Sequence, residues 1–75
     1  MYKVDFHYRD GSTCSYKNII SIAADTGYEL KEIRENEFLK KGLSFEYARF
    51  FLKSETSVYS VSCTDLRSID ASKEL

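Results

Sequence analysis

Three residues near the beginning of the chain combine the side chains of an acid, a base and a hydroxyl. Asp5, His7 and Ser15 carry the groups that general acid–base and nucleophilic catalysis use. Catalysis also needs a pocket, an oxyanion-binding turn and an activated nucleophile, and the sequence around these residues indicates none of them. We therefore interpret the three as polar residues of a solvated sheet face, and predict no catalytic residues and no enzymatic activity.

The other side chains that could bind a metal or a cofactor are also poorly placed. His7 is the single histidine, and Cys14 and Cys63 lie too far apart in the chain for metal-type spacing. Such cysteines are more often core thiols than redox centres. The three glycines are isolated, which argues against a phosphate-binding loop. We expect no cofactor, no metal and no small-molecule substrate.

A β-hairpin must position these residues. Apolar and polar residues alternate from Tyr2 to Arg9, which predicts a half-buried strand followed by a turn at Arg9-Asp10-Gly11. A two-residue loop would split the apolar residues between the two faces, because a slip of one residue reverses every side chain. A three-residue loop with Gly11 in the left-handed conformation avoids this split. It unites on one face Val4, Phe6, Tyr8, Cys14 and Tyr16.

The chain uses this arrangement twice, because Phe50–Ile69 resembles Lys3–Ile22 in its pattern. In each copy an aromatic strand, a polar turn and a second strand lead into a short segment that we call the coda. The codas are Asn18–Ile22 and Asp65–Ile69. The first is predicted to bend and then form a short strand with Ile20 and Ile22 inward. The tail, Asp70–Leu75, is polar and predicted to fray.

A helix is predicted between the two copies. Thr26 and Glu29 have the spacing of a capping box, and Gly42 suits the position after a helix, so the sequence predicts a helix over Gly27–Lys41. Its apolar stripe is interrupted by charged residues, so we expect weak docking and fraying around Glu35-Asn36.

The segment Leu43–Lys53 admits two interpretations. Ser44 could cap a second helix, but the density of aromatic residues and the internal repeat favour a strand. A four-residue loop at Ser54–Ser57 then places Phe50 opposite Val61 and the apolar residues on one face. The opposite face of this strand would carry Phe45, Tyr47, Arg49, Phe51 and Lys53.

Length and composition indicate one small domain, residues 1–75, of the α+β class. Its predicted order is β-β-β-α-β-β-β, with two pseudo-repeated antiparallel hairpins, each followed by a short third strand, and one helix on their common apolar face. The net charge is −1, no apolar run approaches the ~20 residues of a membrane span, and the first residues lack the apolar region of a signal peptide. We expect a soluble, cytoplasmic protein that does not bind membranes.

The exposed aromatic and basic strand face gives the functional prediction. Exposed aromatic residues beside arginine are typical of protein interfaces, so Phe45, Tyr47, Arg49, Phe51 and Lys53 are the predicted partner-binding residues. We expect a non-catalytic interaction module that binds another protein or itself as a homodimer. The alternatives are that this face is covered within the fold, or that it binds single-stranded nucleic acid. The nearly neutral charge argues against nucleic acid.

Overall fold

A computed structural model describes residues 1–43 and 46–74, and this part of the chain contains seven strands and one helix. The elements, in chain order, are β1 Tyr2–Tyr8, β2 Thr13–Ile19, β3 Ser21–Asp25, β4 Leu30–Ile33, α1 Glu35–Lys40, β5 Arg49–Lys53, β6 Val58–Ser62 and β7 Leu66–Lys73. The predicted α+β class is confirmed. The structure has one strand more than predicted, because β4 lies between the third strand and the helix.

The strands form two antiparallel sheets that enclose the core. The three-stranded sheet has the order β2-β1-β7, and the four-stranded sheet has the order β4-β3-β5-β6. Phe6 from the first sheet and Phe50 from the second are both fully buried, with ring centroids 6.2 Å apart. The buried apolar residues are Val4, Phe6, Ile19, Ile22, Ala24, Ile33, Phe38, Phe50, Leu52, Val61 and Leu66.

The first hairpin has the predicted register. Phe6 pairs with Cys14 and Val4 with Tyr16. The amide of Tyr8 donates a hydrogen bond of 2.9 Å to the carbonyl of Ser12, which closes a three-residue loop. Gly11 has a φ of 91°, a conformation that residues with a Cβ adopt only at a cost.

The second hairpin also has the predicted register and loop. Phe50 pairs with Val61 across β5 and β6, and Ser57 donates its amide to the buried Ser54 hydroxyl at 3.0 Å within the loop. The strand over Leu43–Lys53 is shorter than predicted, because β5 begins at Arg49 and residues 46–48 form a turn and a bend. The rival helix over this segment is wrong for the residues that β5 contains. Ser44 lies outside the described residues.

The predicted helix over Gly27–Lys41 is wrong in its first half. Residues 27–29 form a bend, and Leu30–Ile33 pair with β3 as β4, with Ile33 opposite Ile22. The physical reason is that the hydrogen bond between Thr26 and Glu29 can form both at the start of a helix and in a hairpin loop. Thr26 Oγ1 accepts the amide of Glu29 at 3.2 Å, as in a capping box, but here it lies beside a two-residue hairpin loop that begins with Gly27 at a φ of 92°.

The helix that does form is short and contributes one buried side chain to the core. It covers Glu35–Lys40, so the two residues that were predicted to fray are helical. Phe38 is its buried residue, and its ring meets the ring of Tyr2 edge-on at a centroid distance of 4.9 Å. Leu39 packs against the core and is partly buried, so the weak apolar stripe of the sequence corresponds to a helix with a single buried aromatic residue.

The two codas carry the chain from one sheet to the other, and each does so through a residue with positive φ. Asn18 has a φ of 59° and Asp65 a φ of 61°. Asparagine and aspartate tolerate this left-handed conformation better than most residues. The residue directly after each of them is apolar and buried, Ile19 in the first coda and Leu66 in the second.

One detail of the first predicted coda and the prediction for the tail are wrong. Ile22 is buried as predicted, but Ile20 is 46% exposed, because the bend at Asn18 turns Ile19 inward instead. The predicted frayed tail is part of β7, which pairs with β1 along its length and ends at Lys73. Leu75 lies outside the described residues.

Candidate functional site

The candidate site is the face of the four-stranded sheet that points away from the core, which we call the outer face. Burial alternates along β5, where Phe50 and Leu52 face the core and the residues between them face outward. The same alternation and the strand register assign the other members. The outer face consists of Ser21, Ala23, Asp25, Leu30, Glu32, Arg49, Phe51, Lys53, Val58, Ser60 and Ser62.

Phe51 lies at the centre of the outer face between small neighbours. It pairs with Ala23 on β3 and with Ser60 on β6. Both neighbours have short side chains, although the Arg49 guanidinium reaches the Ser60 hydroxyl on one side of Phe51. Phe51 itself is half-buried. A partner surface can therefore contact both the ring of Phe51 and the short side chain of Ala23 beside it.

The charges of the outer face are divided between its strands. Asp25 and Glu32 lie on β3 and β4, while Arg49 and Lys53 lie on β5. Arg49 pairs with Asp25 in the register, but its guanidinium donates to the Ser60 hydroxyl at 2.6 Å, and Asp25 Oδ1 accepts the amide of Gly27 at 2.8 Å.

The outer face also exposes two large apolar residues that the sequence interpretation missed. Leu30 is 64% exposed and Val58 is 63% exposed. Leu30 was assigned to the helix, so its position opposite Asp25 on a strand could not be foreseen. Val58 could have been found, because the predicted loop at Ser54–Ser57 already fixes it opposite Lys53 on the outward side.

The predicted partner-binding residues are distributed over different parts of the fold. Arg49, Phe51 and Lys53 lie on the outer face. Tyr47 precedes β5 and is half-buried, and its ring meets Phe50 edge-on at a centroid distance of 5.8 Å, so it packs against the core. Phe45 lies outside the described residues.

On the polar face of the three-stranded sheet, His7 contacts one residue on each of the two neighbouring strands. Its Nδ1 lies 3.0 Å from Thr13 Oγ1, and its Nε2 lies 2.9 Å from Asp70 Oδ2. Ser15 lies opposite Asp5, as predicted. Thr13 and Asp70 are exposed on neighbouring strands. The arrangement is a hydrogen-bonded link across three strands in which water can reach the hydroxyl and the carboxylate.

The two cysteines differ in exposure. Cys14 is exposed at the start of β2, so its predicted place in the core is wrong, whereas Cys63 is half-buried against the core. Burial raises the pKa of the Cys63 thiol, and the nearby Arg49 guanidinium opposes this shift to a smaller extent. A thiol whose pKa is raised is protonated at neutral pH and is a poor nucleophile.

Two polar contacts of Glu35 connect α1 to β1 and to β7. The Tyr2 hydroxyl donates to Glu35 Oε2 at 2.6 Å, and Lys73 Nζ lies 3.6 Å from Glu35 Oε1. The hydrogen bond from Tyr2 lowers the pKa of Glu35, with a further contribution from the positive charge of Lys73. The same bond raises the pKa of Tyr2. These groups link β1, α1 and β7 at the surface.

Over residues 1–43 and 46–74, no group of three or more histidine, cysteine, aspartate and glutamate side chains is arranged to hold a metal ion. None of the helical residues in this part of the chain forms a segment long and apolar enough to cross a membrane. Comparisons of the chain with protein-family models, with curated proteins and with solved structures find no significant match.

Proposed function

We propose that this chain is a non-catalytic protein-interaction module and that the outer face is its binding surface. The observation that carries the proposal is the aromatic centre of this face. Phe51 lies among small residues on the outer face, where Leu30 and Val58 are 64% and 63% exposed. The helix contacts β7, and β7 itself pairs with β1 in the other sheet.

The composition of the outer face supports a protein partner over a nucleic acid. Phenylalanine and arginine are enriched at protein interfaces, and the exposed Leu30 and Val58 add apolar area around them. Single-stranded nucleic acid would need a groove of consistently positive charge. Asp25 and Glu32 share the face with Arg49 and would repel phosphates. Nucleic-acid binding is therefore the less supported alternative.

An affinity capture with matched variants tests the proposal. The wild-type chain, Phe51→Ser and Tyr28→Ser are immobilised and exposed to an extract of the source cells. Tyr28 is the control, because it is 99% exposed in the loop before β4 and does not belong to the outer face. We expect proteins that bind the wild type and Tyr28→Ser but not Phe51→Ser. Equal capture by all three, or retention of nucleic acid that salt removes, would contradict the proposal.

A further inference from the structure

We propose that the outer face binds the outer face of a second copy of this chain, in a symmetric face-to-face dimer. This inference rests on the proposed function, since it names the partner of the same surface. In the dimer the twofold axis lies between the two sheets, runs parallel to the strands and passes midway between β3 and β5. Strand β5 of each copy then lies over β3 of the other.

The shapes of the central residues match in this arrangement. Phe51 pairs with Ala23 in the register of one sheet, so the axis places each Phe51 over Ala23 of the other copy. A large side chain thus meets a small one twice. Lys53 likewise lies over Ser21 of the other copy, because these two residues are also register partners. Interfaces require such complementarity at their centre.

The charges match as well. Because Arg49 pairs with Asp25 in the register, the same axis sets each Arg49 opposite Asp25 of the other copy. In the single chain these two residues form no ion pair with any described residue; each makes the hydrogen bond given above. The dimer thus gives two opposite charges a partner across the interface, and it does so twice by symmetry.

A second symmetric way of stacking the two sheets is unfavourable. A twofold axis perpendicular to the strands would keep β5 over β5 and exchange the ends of the strand. Arg49 would then face Lys53 of the other copy, and Phe51 would face Phe51 while Ala23 faced Ala23. This arrangement brings like charges together and alternates overpacked with empty contacts. The charge pattern therefore selects the axis parallel to the strands.

The outer face is small for a protein–protein interface. With strands about 4.8 Å apart and about 3.4 Å per residue, four strands of up to five residues cover about 19 Å by 17 Å. The corresponding area of about 320 Å² is smaller than the ~800 Å² that each partner buries in a standard stable interface. We therefore expect a reversible dimer whose population depends on protein concentration.

Charge reversal tests the arrangement directly. We would measure sedimentation of the wild type and of two variants, Arg49→Asp and Asp25→Lys, from about 10 µM to about 1 mM, where small interfaces associate. Each variant alone sets like charges opposite each other in the dimer. We expect each to dimerise at least about tenfold more weakly than the wild type. Asp25→Asn removes the charge but keeps an oxygen that accepts the amide of Gly27, so it should weaken the dimer less than Asp25→Lys does.

The decisive measurement is an equimolar mixture of Arg49→Asp and Asp25→Lys. In a mixed dimer, the introduced aspartate of one variant faces the introduced lysine of the other. The native Asp25 and Arg49 face each other as before, so both pairs between positions 25 and 49 are again of opposite charge. We expect the mixture to regain association close to that of the wild type. A change within one chain cannot produce this recovery, so loss of folding is separated from loss of the interface.

Three results would overturn the dimer. They are a wild type that stays monomeric up to about 1 mM, variants that associate as the wild type does, or a mixture that does not recover. In any of these cases the capture with Phe51→Ser still decides the proposed function independently. If that variant loses protein partners while the wild type is monomeric, the outer face binds a different protein.

Discussion

Replacing the two adjacent phenylalanines of β5 separates the core from the outer face. Phe50→Ala removes a fully buried ring that contacts Phe6 at 6.2 Å and Tyr47 at 5.8 Å, measured between ring centroids. Phe51→Ala removes a half-buried ring on the opposite side of the same strand. The two substitutions are chemically identical and one position apart, so they differ mainly in the face of the strand that loses the ring.

We expect Phe50→Ala to lower the free energy of unfolding by about 3–5 kcal/mol, from lost transfer energy and the cavity that remains. A chain of 75 residues has a total stability of about 4–11 kcal/mol if it follows the usual range per residue. The loss is therefore a large fraction of the total stability. Phe51→Ala should cost less than about 2 kcal/mol, because part of the ring is already in water.

Urea unfolding at low protein concentration measures both losses without a contribution from association. Phe50→Leu gives a third point if Phe50→Ala does not fold, with a loss of about 2 kcal/mol for the three carbons removed. Equal losses for the alanine variants, or a larger loss for Phe51→Ala, would mean that the assignment of the two faces of β5 is wrong.

Two further predictions concern a turn and a titrating group. Gly11→Val should lower the free energy of unfolding by about 1 kcal/mol or more, because a β-branched residue resists the φ of 91°, and unchanged thermal stability would contradict the turn. In Tyr2→Phe the pKa of Glu35 should rise toward its ordinary value in a carboxyl NMR titration, because the Tyr2 hydroxyl no longer stabilises the carboxylate. A lowered carboxyl pKa stabilises the fold above the ordinary pKa, and this contribution is lost as the pH falls through the lowered value. The stability difference between wild type and Tyr2→Phe should therefore shrink in acid, and a constant difference would contradict this account.

The hairpins could be predicted because parity leaves few choices. One glycine at a turn and one alternating pattern fix the pairing of Phe6 with Cys14, and the same reasoning fixes Phe50 opposite Val61. The outward positions of Arg49, Phe51 and Lys53 follow from that register. Which residues of a strand point to the same side depends on the local alternation of residues, and this alternation can be seen in the sequence.

The segment from Thr26 to Ile33 could not be predicted in the same way. The hydrogen bond from the Glu29 amide to Thr26 Oγ1 occurs at a helix start and also at this hairpin loop, so the two residues do not distinguish them. The strand forms because Leu30–Ile33 pair with β3, which provides backbone hydrogen-bond partners. This pairing cannot be deduced from the local sequence pattern. Leu30 joined the outer face only through that pairing.

Each coda leads into a strand that pairs with the other half of the chain, so the outer face is built from both halves. The coda of the first hairpin leads into β3, which pairs with β5 of the second, and the coda of the second leads into β7, which pairs with β1 of the first. A coda that folded back on its own hairpin would show the same alternation of buried residues, so the sequence repeat does not reveal the exchange. Because of it, Asp25 comes from the first half and Arg49 from the second, yet the two are register partners. Opening of either half separates these charges and removes Phe51 from beside Ala23, so the proposed binding surface can exist only while both halves are folded together.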